Sequence, residues 1–396
     1  MKIETKAVHA GDRKKADAAI PCTTPIYTAT SYFYEDMETL DKVFSNEVPG
    51  FAYARYSNPT NAALEELCAE LEGGAGSLAC SSGMSALHIA LHTALLDRRK
   101  SIVAANALYG ATTNMLMNML EPFGVETTFV DICNTEAVAK AIEANKPGCV
   151  LMETVSNPLL RVGELDRIAE MTKAAGAALV VDNTFATPLL IRPLELGANL
   201  VVHSVTKYLA GHGDVMGGIV VSDQEHIESL RSLSRIYGPT LGPFESYLTM
   251  RGIKTFPLRV ERQNRNACRI ASWLASHSGV ERVYFPADAK HPDAATVSRL
   301  LPKDLYGAMI SFELRDGDRA SVFAWMEKLK LIIRATSLGD VHSMVLYPAI
   351  SSHRDLAPKQ RERLGIRDNL IRLSVGIEGV EDIIADLDQA FSTPKA

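Results

Sequence analysis

The chain has 396 residues, 47% of them hydrophobic and 22% charged, with a formal net charge of −6. This is the balance of an ordinary globular protein of two or three domains with a core of good size. There is no basic block, and no apolar run nears the ~20 residues that span a bilayer, which argues against nucleic acid and membrane surfaces as partners. Residues 1–6 lack the apolar core of a signal peptide, and six scattered cysteines (Cys22, Cys68, Cys80, Cys133, Cys149, Cys268) show no paired metal spacing. Together these features predict reduced thiols, no metal site and a cytoplasmic location.

Residues 1–60 read as an irregular arm, because Pro21, Pro25, Pro49 and Pro59 interrupt any long helix. Aromatic residues are dense there, and they need a surface to cover, either the body of this chain or a neighbouring subunit. Arg55, between Tyr53 and Tyr56, is a candidate anion clamp or a solvated loop arginine.

A helical pattern starts at Asn61 and stops at Gly73-Gly74. Strand candidates at 76–80, 101–105, 125–130, 148–152, 177–182, 199–203 and 216–221 then alternate with helical stretches. That alternation predicts a mostly parallel sheet covered by helices, with ligands beyond the carboxyl ends of the strands. A long helix at 255–278 leads to a smaller α+β region. Its strand candidates are 282–285, 307–313, 331–334 and 371–375, and its helical patterns are 319–329, 357–364 and 380–391. The expected organisation is an arm at 1–60, a large domain at 61–245 and a small domain at 246–396.

Several candidate site residues fall at strand ends. Cys80-Ser81-Ser82-Gly83-Met84 turns a strand into a helix whose free N–H groups suit a phosphate, although a plain serine cap is equally common. Tyr109 could stack on an aromatic ligand or move a proton, or simply pack. Asn157 could bond a ligand oxygen or form the turn before Pro158. Asp182, at the end of an apolar strand, is costly unless paired, and it could hold a pyridinium nitrogen protonated. Lys207 stands one strand later within Ser204-Val205-Thr206-Lys207-Tyr208, among hydroxyls and before glycines. Burial favours the neutral amine that Schiff-base chemistry requires, and Ser204 and Thr206 could donate to an anion beside it. Arg372, within an apolar strand, needs a partner, which a substrate carboxylate or a structural salt bridge would supply.

These stretches, with Tyr53-Ala54-Arg55-Tyr56-Ser57-Asn58-Pro59-Thr60 and Arg372-Leu373-Ser374-Val375-Gly376, resemble the Cys/Met-metabolism enzymes dependent on pyridoxal 5′-phosphate (PLP). The resemblance covers nearly the whole chain. It implies PLP fold type I, of the aspartate-aminotransferase kind, with a seven-stranded, mainly parallel sheet and a smaller C-terminal α+β domain. It implies that Lys207 carries PLP as a Schiff base and acts as the base. Gly83, Met84, Ser204 and Thr206 would hold the phosphate, joined from a neighbouring subunit by Tyr53 and Arg55. Tyr109 would stack on the ring and protonate the leaving group, Asp182 would pair with the ring nitrogen, and Asn157 would contact the phenolic oxygen. Arg372, with Ser337, would bind the substrate carboxylate. The implied activity is α,γ-elimination on methionine or cystathionine by a homotetramer, with γ-replacement by a synthase or sulfhydrylase as the alternative. His342 stands where relatives that handle cystathionine often carry glutamate; a histidine near the leaving-group pocket would favour another thioether or an O-acylhomoserine, and a loop histidine without substrate contact is the equal alternative. Ala111 stands where many methionine γ-lyases carry cysteine.

Overall fold

The computed structural model describes residues 1–12, 19–354, 361–362 and 364–392. Seven short strands build the central sheet: β1 (Gly76–Cys80), β2 (Ser101–Ala105), β3 (Glu126–Val130), β4 (Cys149–Glu153), β5 (Ala178–Asp182), β6 (Leu200–His203) and β7 (Gly218–Ser222). Five of them are buried at every residue, so their sequences run apolar without alternation. The edge strand β3 is partly exposed and accordingly carries Glu126, Thr127 and Thr128.

The spatial order is β1-β7-β6-β5-β4-β2-β3. Only β7 runs against its neighbours, and the remaining pairs are parallel. The carboxyl ends of β1, β2, β4, β5 and β6 therefore open on one edge of the sheet, where ligands of such sheets bind. The mainly parallel seven-stranded sheet agrees with the sequence-based expectation, strand by strand to within about two residues.

The second sheet holds β8 (Val280–Tyr284), β9 (Met309–Leu314), β10 (Ile333–Arg334), β11 (Met344–Leu346) and β12 (Leu370–Ser374), in the order β10-β11-β12-β9-β8. Its pairs are antiparallel apart from β10 with β11. The helix expected at 357–364 lies largely outside the described residues.

The arm is less irregular than expected. It forms two short helices, α1 (Ile3–His9) and α2 (Met37–Phe44). The arm's prolines fall outside both helices, so neither loses a backbone bond. The Asp36 side chain accepts from the Thr39 amide to start α2, a cap worth about 1 kcal/mol. Helix α3 (Pro59–Glu72) follows, capped by Asn58 and ended by Gly73 in the left-handed region. Helix α4 (Gly83–Leu95) starts directly after β1 and the Ser81-Ser82 turn.

A long helix, Phe256–Ser276, ties the two sheets together at the site. The buried Arg259 guanidinium donates to the carbonyls of Tyr208 (2.9 Å), Leu209 (3.1 Å) and Gly252 (2.9 Å). The first two belong to the segment just after Lys207. Gly211 lies beside it in the left-handed region, where a Cβ would overlap the guanidinium. Gln263 donates to the Asp340 carbonyl at 2.7 Å, and Asn266 to the Gly376 and Glu378 carbonyls at 3.0 Å each. One helix thus fixes the lysine loop relative to the chain around Arg372.

Candidate active site

A cavity of about 440 Å³ opens at the carboxyl edge of the large sheet. It gathers Gly83, Met84, Tyr109, Asn157, Asp182, Ser204, Thr206, Lys207 and Arg372, nine of the residues expected from sequence. They come from strand ends and turns of the large sheet and from β12 of the second. Helices and strands hold the backbone while the side chains at their ends face the ligand space.

Lys207 is largely buried, with its Nζ 3.2 Å from the Ser337 hydroxyl. Burial lowers the lysine's pKa, and the Arg372 charge lowers it further. Ser337 thus sits at the lysine, and its carbonyl oxygen accepts from Arg372 Nη2 at 3.4 Å.

Arg372 is buried within β12, and its Nη1 donates to Asn157 Oδ1 at 2.9 Å. Its Nε is buried without a partner among the described residues. Burial pushes the guanidinium down to about 10. No carboxylate among the described residues pairs with it directly, which leaves its charge available to an anionic ligand.

At the opposite end, Ser82 caps α4 by accepting from the Ser85 amide at 3.1 Å, while the Ser85 hydroxyl accepts from the Ser82 amide. Among the described residues, nothing takes up the Gly83 and Met84 N–H groups. A Cβ on Gly83 would lie 2.8 Å from the Ser204 Cβ, so only glycine lets the two walls of this cradle close. The Ser204 amide donates to Thr184 Oγ1 at 2.9 Å. The Thr206 hydroxyl exchanges hydrogen bonds with the Gly217 backbone.

Asp182 ends β5, where burial raises its pKa and hydrogen bonds from the Thr184 side chain and amide oppose the rise. Tyr109 precedes the short helix Gly110–Asn114, its side chain partly open to the cavity. Its amide donates to Glu153 Oε1 at 2.6 Å.

Tyr53 and Arg55 do not line this chain's cavity. Arg55 lies 4.9 Å over the Tyr56 ring and 5.7 Å over Tyr53, and it donates to the Arg235 carbonyl. Of the two readings of His342, the loop histidine fits: it stands outside the cavity wall, its side chain 59% exposed, with Nδ1 2.9 Å from Asp340 Oδ1. The short Leu338-Gly339-Asp340 turn holds it there, since Gly339 packs against Tyr208 and Asp340 is buried.

Sequence reasoning missed several lining residues: Glu153, Thr184, Phe185, Thr336, Ser351 and Ser352. Glu153 carried a usable signal, a carboxylate closing an apolar strand as Asp182 does. The serines of 351–352 carried none, because only tertiary contact brings that loop to the Tyr109 turn.

The residues present fit PLP. The cradle at α4 offers unpaired amides to a phosphate, Asp182 offers a carboxylate to a ring nitrogen, and Lys207 offers an amine whose burial favours the neutral form. The sequence pattern of the Cys/Met metabolism PLP-dependent enzymes matches residues 4–392. The chain belongs to that family. It is 42% identical over 392 residues to an L-methionine gamma-lyase of Fusobacterium nucleatum subsp. nucleatum, covering 98% of each chain. It is 39% identical over 395 residues to the cystathionine gamma-lyase of Bacillus subtilis, covering 99% of each. Its fold superposes on the crystal structure of a cystathionine gamma synthase from Xanthomonas oryzae pv. oryzae with a TM-score of 0.90 and 39% identity, covering 98% of this chain and 97% of that one. The protein is thus a PLP-dependent enzyme of the transsulfuration family with the fold expected from sequence, and its cofactor is PLP. No helix among the described residues is long and apolar enough to cross a membrane.

Proposed function

We propose that the protein is a carbon–sulfur lyase that converts a sulfur amino acid, methionine or cystathionine, with water into 2-oxobutanoate, ammonia and a thiol. The observation that carries this reading is the cavity wall. Its only acids among the described residues are Glu153 and Asp182, both at the buried end, and Met216, Leu338, Leu346 and Val155 form its apolar part. Such a wall suits an uncharged thioether tail and offers no carboxylate to a distal ammonium, so methionine is the better of the two substrates.

In this reading Arg372 grips the substrate carboxylate with the unpaired Nε side of its fork, supported by Asn157 and Ser337. The amides of Gly83 and Met84, with Ser204 and Thr206, hold the cofactor phosphate, and Asp182 holds the ring nitrogen. Bound there, PLP supplies an electron sink for negative charge on the substrate. Lys207, released as a neutral amine, takes the Cα proton, with Ser337 Oγ orienting its Nζ. Tyr109 covers the ring and delivers a proton to the departing sulfur. Tyr53 and Arg55 reach the phosphate of a neighbouring subunit in a tetramer built from two dimers. The exposed arm side chains Phe33 (88%) and Phe44 (54%) are consistent with burial in such an assembly.

A second reading, γ-replacement on an O-acylhomoserine, is favoured by the likeness to the Xanthomonas oryzae synthase. The two separate on 2-oxobutanoate release from L-methionine, L-cystathionine and O-acetyl-L-homoserine, each with and without cysteine. Keto acid from methionine without added thiol is expected. A thioether formed only from O-acetyl-L-homoserine plus cysteine, with no thioether cleavage, would replace the lyase reading by the synthase one.

A further inference from the structure

Glu153 closes β4 with a buried carboxylate in the cavity wall. A carboxylate in that position is costly unless its oxygens are filled. Both are filled by backbone. Oε1 accepts from the Tyr109 amide at 2.6 Å and Oε2 from the Asn157 amide at 3.0 Å. The two amides belong to separate turns, one after β2 and one after β4.

His353 is buried near the same two turns, and its Nδ1 lies 2.9 Å from the Ser352 hydroxyl. The Tyr109 turn also meets the 351–353 loop backbone to backbone, since a Cβ on Gly110 would overlap the Ser352 carbonyl oxygen. Glu153 therefore closes on both turns as an acceptor, while the 351–353 loop backs the Tyr109 turn.

We propose that Glu153 is a positioning residue that clamps the Tyr109 turn to the Asn157 turn and so fixes the Tyr109 ring over the cofactor. This rests on the reading of Tyr109 as the residue that covers the PLP ring. A carboxylate is the side chain the clamp needs, because it presents two acceptors and no donor to two N–H groups. The same clamp sets Asn157, whose Oδ1 holds Arg372, so a single element aligns the ring cover and the carboxylate grip.

The test is Glu153→Gln, which turns an amide NH₂ toward one of the two backbone N–H groups. PLP is titrated into the apoprotein, and the visible circular dichroism of the bound cofactor reports how asymmetrically its ring is held. The expected result is a PLP Kd raised about ten-fold with a weakened dichroic band, as when a supporting partner of a binding residue is lost, and an apoprotein that stays folded but melts a few degrees lower, because the N–H left unpaired is buried with or without cofactor. An unchanged Kd and band would overturn the clamp. Tyr109→Leu separates the two levels. If it moves both readouts while Glu153→Gln moves neither, the clamp fails and the ring-cover reading stands. If Tyr109→Leu also moves neither, that reading itself fails. Should Glu153→Gln not fold, Glu153→Asp, whose shorter stem cannot reach both amides, carries the same expectation. Loss of the fold in both Glu153→Gln and Glu153→Asp would mark Glu153 as purely structural and overturn the proposal.

Discussion

Glu153 and Asp182 are register partners at the ends of adjacent parallel strands, so a buried carboxylate and a partly buried one face one cavity. Burial raises the pKa of both, and the Asp182 charge raises that of Glu153 further. They differ in what fills them. Both oxygens of Glu153 are taken by backbone amides, whereas Asp182 is bonded only by Thr184 among the described residues. Asp182 is therefore the carboxylate that a ligand cation can use.

Asp182→Asn keeps the shape and removes that charge. With a ring nitrogen no longer held protonated, kcat for methionine elimination should fall by about 100-fold or more, the scale seen when one preorganised electrostatic partner is lost. PLP content, read from visible absorbance, should stay near one per chain. Wild-type kcat in a cofactor-loaded variant would contradict the assigned role.

Arg372→Lys keeps a cation and loses the fork. The ammonium cannot serve Asn157, the Ser337 carbonyl and a substrate carboxylate together. KM for methionine should rise by about 100-fold with a much smaller change in kcat, as expected when a buried charge partner is lost mainly from substrate binding. Steady-state saturation curves check this, and a loss confined to kcat would move Arg372 out of carboxylate binding.

Much of this arrangement was legible in the sequence because it sits on strongly patterned elements. Asp182 ends an apolar strand, Arg372 interrupts one and Lys207 lies in the turn just after one, and a charge there demands a reason. The small-region strand Met344–Leu346 escaped because three residues carry no period, and it forms only by pairing with the chain around Arg372. Helix α2 escaped because proline density over the whole arm masked the local Asp36 cap. Glu153 was visible as a residue and opaque as a partner, since its bond to Tyr109 spans 44 positions. His342 was legible only as two alternatives, and a turn that points it at Asp340 favours the loop one.

His353 gives the apoprotein a pH signature. Burial first, then the Arg372 charge, pushes its pKa from 6.5 down to about 4. The folded state therefore keeps the ring neutral, while the unfolded chain binds a proton below pH 6.5. Between those values the unfolded state holds more protons, so stability falls as pH falls from about 6.5 to 4, by about 3 kcal/mol at the low end. Thermal melts of wild type and His353→Gln at pH 7 and pH 5 test this. The variant should lose part of the acid-side decline, and identical declines would show that His353 does not contribute.

Arg55→Ala tests the arm. Arg55 and Tyr53 lie outside this chain's cavity, so a role at the phosphate requires a second subunit. The variant should retain PLP less tightly. Mixing it with Lys207→Ala and letting subunits exchange should recover part of the elimination activity, because hybrid pairs regain one site with both residues intact. No recovery after demonstrated exchange would confine the arm to its own chain.

The most direct measurement is on Lys207. Its buried amine, 3.2 Å from Ser337 Oγ and beside an unpaired arginine nitrogen, is the point on which every assigned role converges. The PLP-loaded protein is reduced with borohydride, digested, and mapped by mass spectrometry. The expected result is a single phosphopyridoxyl group on Lys207, with the colour bleached, and no covalent label in Lys207→Ala. A label on any other lysine, or undiminished labelling of Lys207→Ala, would contradict the site.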